Sequence, residues 1–368
     1  MPKSKATSLL QFFDYCVQNN LPFAFYQMPE SGVIKVVAQK HNATTKIEKS
    51  SLLKGFLFAP FQEGKNLTSL LISSDIFTTS GKLPVLNFAS HETSTSVYQK
   101  LKPKEATKEQ FVVYVKSIQA GIKKGTFKKV VAARVVKKKK PKTFDAVAFF
   151  EALCKKYPNA FKSLVYTPQY GLWIGATPEI LLSVDSHGFK TYSLAGTKAN
   201  TIKNASADWG KKEQEEQKIV SQYITGAFKK VTSAEPQIKG PETIAAGNLL
   251  HLRTTFTYNS IDKDKWQDVV AELHPTPAVA GLPKAASIRF IQSHEIANRG
   301  FYSGYLGPVN LDNQIALFVN LRCMQVLKNK LAVHVGCGIT AGSEPEDEWK
   351  ESKMKSETLL SVLKLHKK

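Results

Sequence analysis

The sequence predicts an α+β fold. Apolar runs of strand length, 33–38 (VIKVVA), 56–61 (FLFAPF) and 69–74 (SLLISS), crowd the first hundred residues. Segments with helical spacing stand between later strand-like runs, at 107–124, 146–157 and 208–231. Strands and helices do not alternate in the regular manner of a βαβ sheet, which argues against a Rossmann-type fold.

With 368 residues, 42% of them hydrophobic, the chain has enough apolar material for a sizeable core and is not disordered. Residues 1–100 are expected as an α+β segment packed onto a 101–365 core, the whole making one compact domain. Fifty-one Lys and Arg against thirty Asp and Glu give a net charge of +21. That balance suits an anionic partner of any size, from nucleic acid to a small substrate. Cys16, Cys154, Cys323 and Cys337 contain no CxxC pair, so neither a zinc site nor a redox motif is expected. No apolar run approaches the ~18 residues of a membrane span. The basic N-terminus lacks a signal-peptide pattern, so a soluble cytoplasmic protein is expected.

In chain order, a short helix is expected at 7–18, followed by the three strands above. The polar stretch 91–110 reads as a linker running into the 107–124 helix, where Thr107 and Gln110 offer a capping box. Residues 128–142 (KKVVAARVVKKKKPK) read as a strand that runs out into a lysine-rich turn. An amphipathic helix at 146–157 precedes strands at 163–168 and 170–178. Residues 314–327 and 331–340 are expected as two strands of one hairpin around 328–330.

Two helices carry charge on their apolar stripes. In 208–231, Val220, Tyr223, Ile224, Ala227, Phe228 and Val231 follow i, i+3, i+4 spacing, and the stripe extends backward to Glu216 and Glu213. Near the C-terminus, Leu359 and Val362 define a face that leads back to Lys355, Glu351 and Glu348. Burying unpaired carboxylates is costly. A hard divalent cation such as Mg²⁺ would compensate them with oxygen ligands, and so would salt bridges to neighbouring lysines.

Anion-binding features accompany these acids. Gly336 and Gly338, beside Thr340, read as a glycine turn that bares N–H groups before the acidic helix; 193–198 (SLAGTK) is similar. Arg299, Tyr302 and Arg322 add polar groups. Arg322 sits mid-strand, where a guanidinium fork calls for an anion or a partner. Lys129 opens an apolar strand; a buried lysine can serve as a base, or simply flank the strand. Glu179 closes an apolar strand, where a carboxylic acid can keep its proton and donate it.

Taken in order, these residues resemble the chorismate-utilising enzymes: isochorismate, salicylate, anthranilate and aminodeoxychorismate synthases. The carrying motifs are KVVAAR (129–134), GATPEILL (175–182), LAGT (194–197), KEQEEQKIV (212–220), HLRTTF (251–256), HPTPAVAGLPKAAS (274–287), RGFYSG (299–304), VNLRC (319–323) and GCGITAGSEPEDEWKESKMK (336–355). The resemblance implies two packed, mainly antiparallel sheets with helices outside and the site between them. It implies Glu216 and Glu351 as principal Mg²⁺ ligands, with Glu213 and Glu348 as water-mediated supports. Tyr302, Arg322, Lys355 and the Gly336–Gly338 backbone would bind the substrate's carboxylates, with His251 and Thr197 in the same pocket. Lys129 resembles the general base and Glu179 the general acid.

Within the family, Ala195 stands where aminodeoxychorismate enzymes carry a nucleophilic lysine, and Lys129 is the base that ammonia-adding members lack. The resemblance therefore implies an isochorismate synthase, an isomerase adding water at C2 of chorismate with loss of the C4 hydroxyl. A salicylate synthase is the alternative. Gln217, Lys198 and Asn298 depart from the usual histidine, arginine and acid at their positions. The product would serve menaquinone or siderophore synthesis. Chorismate is the expected partner, with no nucleic acid, membrane or obligate protein partner. The rival outside the class is a basic nucleic-acid-binding protein, suggested by 137–142 (KKKKPK) without any nucleic-acid motif.

Overall fold

The apolar runs become strands of two large antiparallel sheets in the computed structural model, which describes residues 7–43, 45–47, 53–85, 102–201, 208–246 and 249–365. Sheet one runs β14 (Gly281–Leu282), β7 (Lys129–Lys139), β18 (Lys330–Ile339), β17 (Cys323–Val326), β9 (Gly171–Thr177), β8 (Phe161–Thr167), β1 (Phe23–Gln27), β2 (Lys35–Ala38) and β6 (Ile76–Thr79). Sheet two runs β12 (Gln237–Ala246), β13 (Leu249–Tyr258), β11 (Gly188–Ala199), β10 (Ile180–Asp185), β16 (Ile315–Val319), β15 (Tyr305–Val309), β4 (Gly55–Ala59), β5 (Leu70–Ser73) and β3 (Thr45–Lys46). At one end each sheet finishes in strands from the first hundred residues, so the N-terminal segment completes one edge of each.

The inner faces meet through aromatic side chains. Phe161 of sheet one stacks on Phe318 of sheet two at 4.1 Å, and Phe58 of sheet two stacks at 3.8 Å on Phe301 from the turn before β15. Phe58, Phe161 and Phe301 are fully buried, and such burial stabilises by about 1.5–3 kcal/mol per ring. Helices α1 (Leu9–Gln18), α3 (Ala146–Lys156) and α7 (Pro345–Leu365) cover the outer face of sheet one together with α2 (Lys108–Lys123). On sheet two lie α4 (Lys211–Lys229) and α5 (Trp266–Leu273), while α6 (Lys284–His294) packs beside β14 and β7. The Thr107–Gln110 capping box forms at the start of α2, each side chain accepting from the other residue's N–H.

Three local expectations change. The 314–327 run is not one strand: it breaks after Val319 and resumes at Cys323, with β16 in sheet two and β17 in sheet one. Only β17 makes the hairpin with β18, Met324 opposite Val333. Arg322 lies in the gap at φ 47°, a left-handed backbone that no strand continues through. Next, the lysines at 137–139 stay within β7, paired with β18 as far as Lys139 opposite Lys330, because the hairpin partner extends that far. Finally, Gly336 and Gly338 belong to β18 rather than to a turn, opposite Ala133 and Val131 of β7. The expected linker at 91–110 falls in part outside the described residues.

Arg299 is not free for an anion. Its guanidinium donates to both oxygens of Glu295 at 2.8 and 2.7 Å and to the carbonyls of Val279 and Val131 at 2.7 and 2.8 Å. Glu295 also accepts from Ala133 N–H at 3.0 Å. One buried pair thus ties β7, the end of α6 and the 279 loop together, fixing the strand that carries Lys129. Arg299→Met should destabilise the protein by about 3–5 kcal/mol by stranding the Glu295 carboxylate. Arg299→Met/Glu295→Met should recover much of that loss, as read from equilibrium denaturation.

Candidate active site

The site forms where the chain changes sheets. Between β9 and β10 it passes from sheet one to sheet two through Pro178 and Glu179; between β16 and β17 it returns through Asn320–Arg322. The two crossings lie side by side. Val319 N–H donates to Glu179 O at 2.9 Å, and Thr177 Oγ1 donates to Val319 O at 2.7 Å. Each crossing delivers one charged side chain, Glu179 or Arg322, to the same cavity between the sheets.

The acids arrive from opposite sides. Helix α4 packs on β11 and β13 of sheet two, and α7 packs on β18 of sheet one. Gln217 anchors α4: its buried amide donates to Ser193 O and Oγ and to Thr254 Oγ1 at 3.1, 2.7 and 2.9 Å. That anchoring turns Glu213 and Glu216 toward the cavity, whose opposite wall holds Glu351 and Lys355. Glu348, one turn earlier on α7, is buried behind that wall near Cys337.

Each principal carboxylate meets a lysine. Lys129 Nζ contacts Glu216 Oε1, and Lys355 Nζ lies 2.6 Å from Glu351 Oε1. Lys129 is fully buried against Glu216 and is not among the residues that line the cavity. Burial works against the Lys355 ammonium, but Glu351 and then Cys337 outweigh it and raise its pKa. Lys355 also donates to the edge carbonyl of Gly336 at 3.1 Å.

The two β18 glycines make room for these groups. A Cβ at Gly338 would fall 2.8 Å from Lys129 Cε and 3.0 Å from Glu216 Oε1. A Cβ at Gly336 would fall 2.7 Å from the Tyr302 hydroxyl. Their role in this structure is steric clearance along a strand, not the baring of N–H groups in a turn.

The remaining groups are tuned mainly by burial. It pushes Glu179 up to about 7 against the opposing charges of Lys129, Arg322 and Lys355. It lowers His251 to about 3, assisted by Arg322, leaving the imidazole neutral. His251 Nδ1 donates to Gly196 O at 2.7 Å, so Nε2 is a lone-pair acceptor at the cavity. Tyr302 is raised to about 12, chiefly by burial, and keeps its proton. Burial lowers Arg322, partly offset by Tyr302 and Glu351. The side chain of Thr197 lies outside the described ones.

The structure thus brings Glu179, Glu213, Glu216, His251, Tyr302, Arg322, Gly336, Gly338, Glu351 and Lys355 to one cavity. It adds two residues that sequence reasoning passed over. His334 lines the cavity; its period-two spacing from Gly336 and Gly338 in β18 is the signal that could have found it. Cys337 places its thiol so that it and the carboxylates of Glu348 and Glu351 have ligand atoms within 4.8 Å of one another. As a donor set, the carboxylates from two helices fit a hard divalent cation, which takes oxygen ligands.

Glu179 gives a pH test. Its folded-state pKa of about 7 lies above the ordinary carboxyl value of 4.5. The protonated acid therefore stabilises the fold fully below the unfolded value, and that stability is lost as pH rises through about 7. Between pH 5 and pH 8 the wild type should lose about 2 kcal/mol relative to Glu179→Gln, as read from unfolding free energies of both proteins.

The model of the family described as "Chorismate binding enzyme" matches residues 37–364. The isochorismate synthase EntC of Escherichia coli is 27% identical over 271 residues, covering 72% of this chain and 68% of that protein. The isochorismate synthase MenF of Escherichia coli is 29% identical over 251 residues, covering 66% and 58%. Among solved structures, a putative 2,3-dihydroxybenzoate-specific isochorismate synthase, DhbC, from Bacillus anthracis superposes with a TM-score of 0.78 at 23% identity, covering 96% of this chain and 98% of that one. Anthranilate synthase component I from Streptococcus pneumoniae gives 0.66 at 17% identity, covering 92% of each. With the family model spanning most of its length, and the same fold in these solved structures, this chain belongs to the chorismate-binding enzyme family.

Proposed function

We infer that this protein is an isochorismate synthase, converting chorismate to isochorismate with Mg²⁺. The observation that carries the reading is the shared cavity. Glu179, with its raised pKa, faces the same space as Glu216, Glu351, Arg322 and Lys355, and Lys129 is docked against Glu216. The relatives named isochorismate synthases support the choice of reaction.

Glu216 and Glu351 would hold the metal, with Glu213 and Glu348 behind them. When bound, the metal supplies positive charge that lets a dianionic substrate sit among carboxylates. Arg322 and Lys355 add the remaining cationic charge, Arg322 through a fork suited to a carboxylate. Neutral Tyr302 and His251 contribute hydrogen bonds without charge.

The proton steps belong to Lys129 and Glu179. Lys129, as a neutral amine, takes a proton from the water that attacks C2. Glu179 gives its proton to the C4 hydroxyl, which leaves as water while the ring double bonds shift. One water enters and one leaves, so the reaction is an isomerisation. At neutral pH a raised pKa near 7 leaves a substantial share of Glu179 able to donate. The contact with the Glu216 carboxylate positions the Lys129 amine.

Incubation with chorismate and Mg²⁺, followed by product separation, tests the reading. Isochorismate without stoichiometric pyruvate is expected. Salicylate with pyruvate would assign the alternative activity, and unchanged chorismate would end the proposal. Lys129→Ala should lower turnover by about 10²-fold or more; wild-type turnover in that variant would remove Lys129 from the base role.

A further inference from the structure

We propose that His334 is a specificity-determining residue of the cavity, hydrogen-bonding an oxygen of the bound substrate on the side of Tyr302. The proposal rests on the chorismate reading of the site.

His334 is 2% exposed and lines the cavity on the same side of β18 as Gly336 and Gly338. Its ring lies 5.1 Å from Trp173 at 30° and 5.5 Å from Tyr302 at 25°. Among the described residues Nε2 is fully buried and has no hydrogen-bond partner. Burial, assisted by Arg299, lowers its pKa to about 3, so the imidazole is neutral.

A phenyl ring at this position would keep the contacts with Trp173 and Tyr302. The imidazole adds only polarity, and buried polarity without a partner is unfavourable. The cavity is the available source of a partner. A neutral imidazole has one N–H donor and one lone-pair acceptor. His251 has its tautomer fixed by Gly196 O; no described group fixes that of His334. It can therefore donate to a carboxylate or ether oxygen, or accept from a hydroxyl. Arg322 and Lys355 neutralise charge, whereas His334 discriminates by hydrogen-bond position.

The test combines steady-state kinetics on chorismate with Mg²⁺ and ¹⁵N NMR of imidazole-labelled protein, using wild type, His334→Phe and His334→Asn. The Phe variant should raise KM by about tenfold or more while kcat stays within about threefold, the signature of lost ground-state binding. His334→Asn should recover part of the KM. In the wild type, chorismate should move the ring-nitrogen resonance that is missing from His334→Phe. Turnover of chorismate by wild type with an unchanged KM in His334→Phe overturns the proposal and leaves the reaction assignment standing. Should the Phe variant fail to fold, a stationary wild-type resonance on saturation overturns it equally. Failure of wild type to bind or convert chorismate overturns both.

Discussion

Two lysine–glutamate pairs, Lys129 with Glu216 and Lys355 with Glu351, are the interactions on which the centre of this molecule depends. They place ammonium groups and carboxylates between two apolar sheets, where an unpaired charge would be strongly disfavoured. Nearby features serve them. Glycines replace larger residues at 336 and 338, Gln217 locks α4 in rotation, and the Arg299–Glu295 pair holds β7 in place. On the proposed function, a cation held among these carboxylates would compete with the lysines for them.

The two side-by-side crossings between sheets explain why the site lies where it does. At the crossings the ladder is interrupted, and Glu179 and Arg322 emerge from segments that belong to neither sheet. Arg322 occupies a left-handed backbone there, a conformation disfavoured for a residue with a Cβ. Backbone strain at a residue facing the cavity is consistent with a position fixed by function.

Much of this was readable in one dimension. The helices at 107–124, 146–157 and 208–231 follow from their spacing, and the glutamates in phase with two apolar stripes marked carboxylates on the inward faces of two helices. The break at 320–322 was not readable, because Asn320 and Arg322 alternate with apolar residues as they would in a strand with one polar face, and only the sheet exchange interrupts the run. Arg299 looked like an anion receptor because its buried partner Glu295 and two distant carbonyls are not apparent in the sequence. Gly336 and Gly338 suggested a turn because the lysine, glutamate and tyrosine that need their missing side chains come from three other segments. His334 was hidden by the ordinary reading of a histidine in an apolar strand.

Whether a cation competes with the lysines for the same carboxylates can be measured directly. Calorimetric titration of Mg²⁺ into the wild-type protein and Glu216→Gln, with and without chorismate, separates metal affinity from chemistry. Chorismate should tighten Mg²⁺ binding to the wild type by about tenfold or more, and the Gln variant should lose both the binding and the coupling. Equal Mg²⁺ affinity in the two proteins, or affinity indifferent to chorismate, would contradict a cation held by Glu216 at the heart of the site.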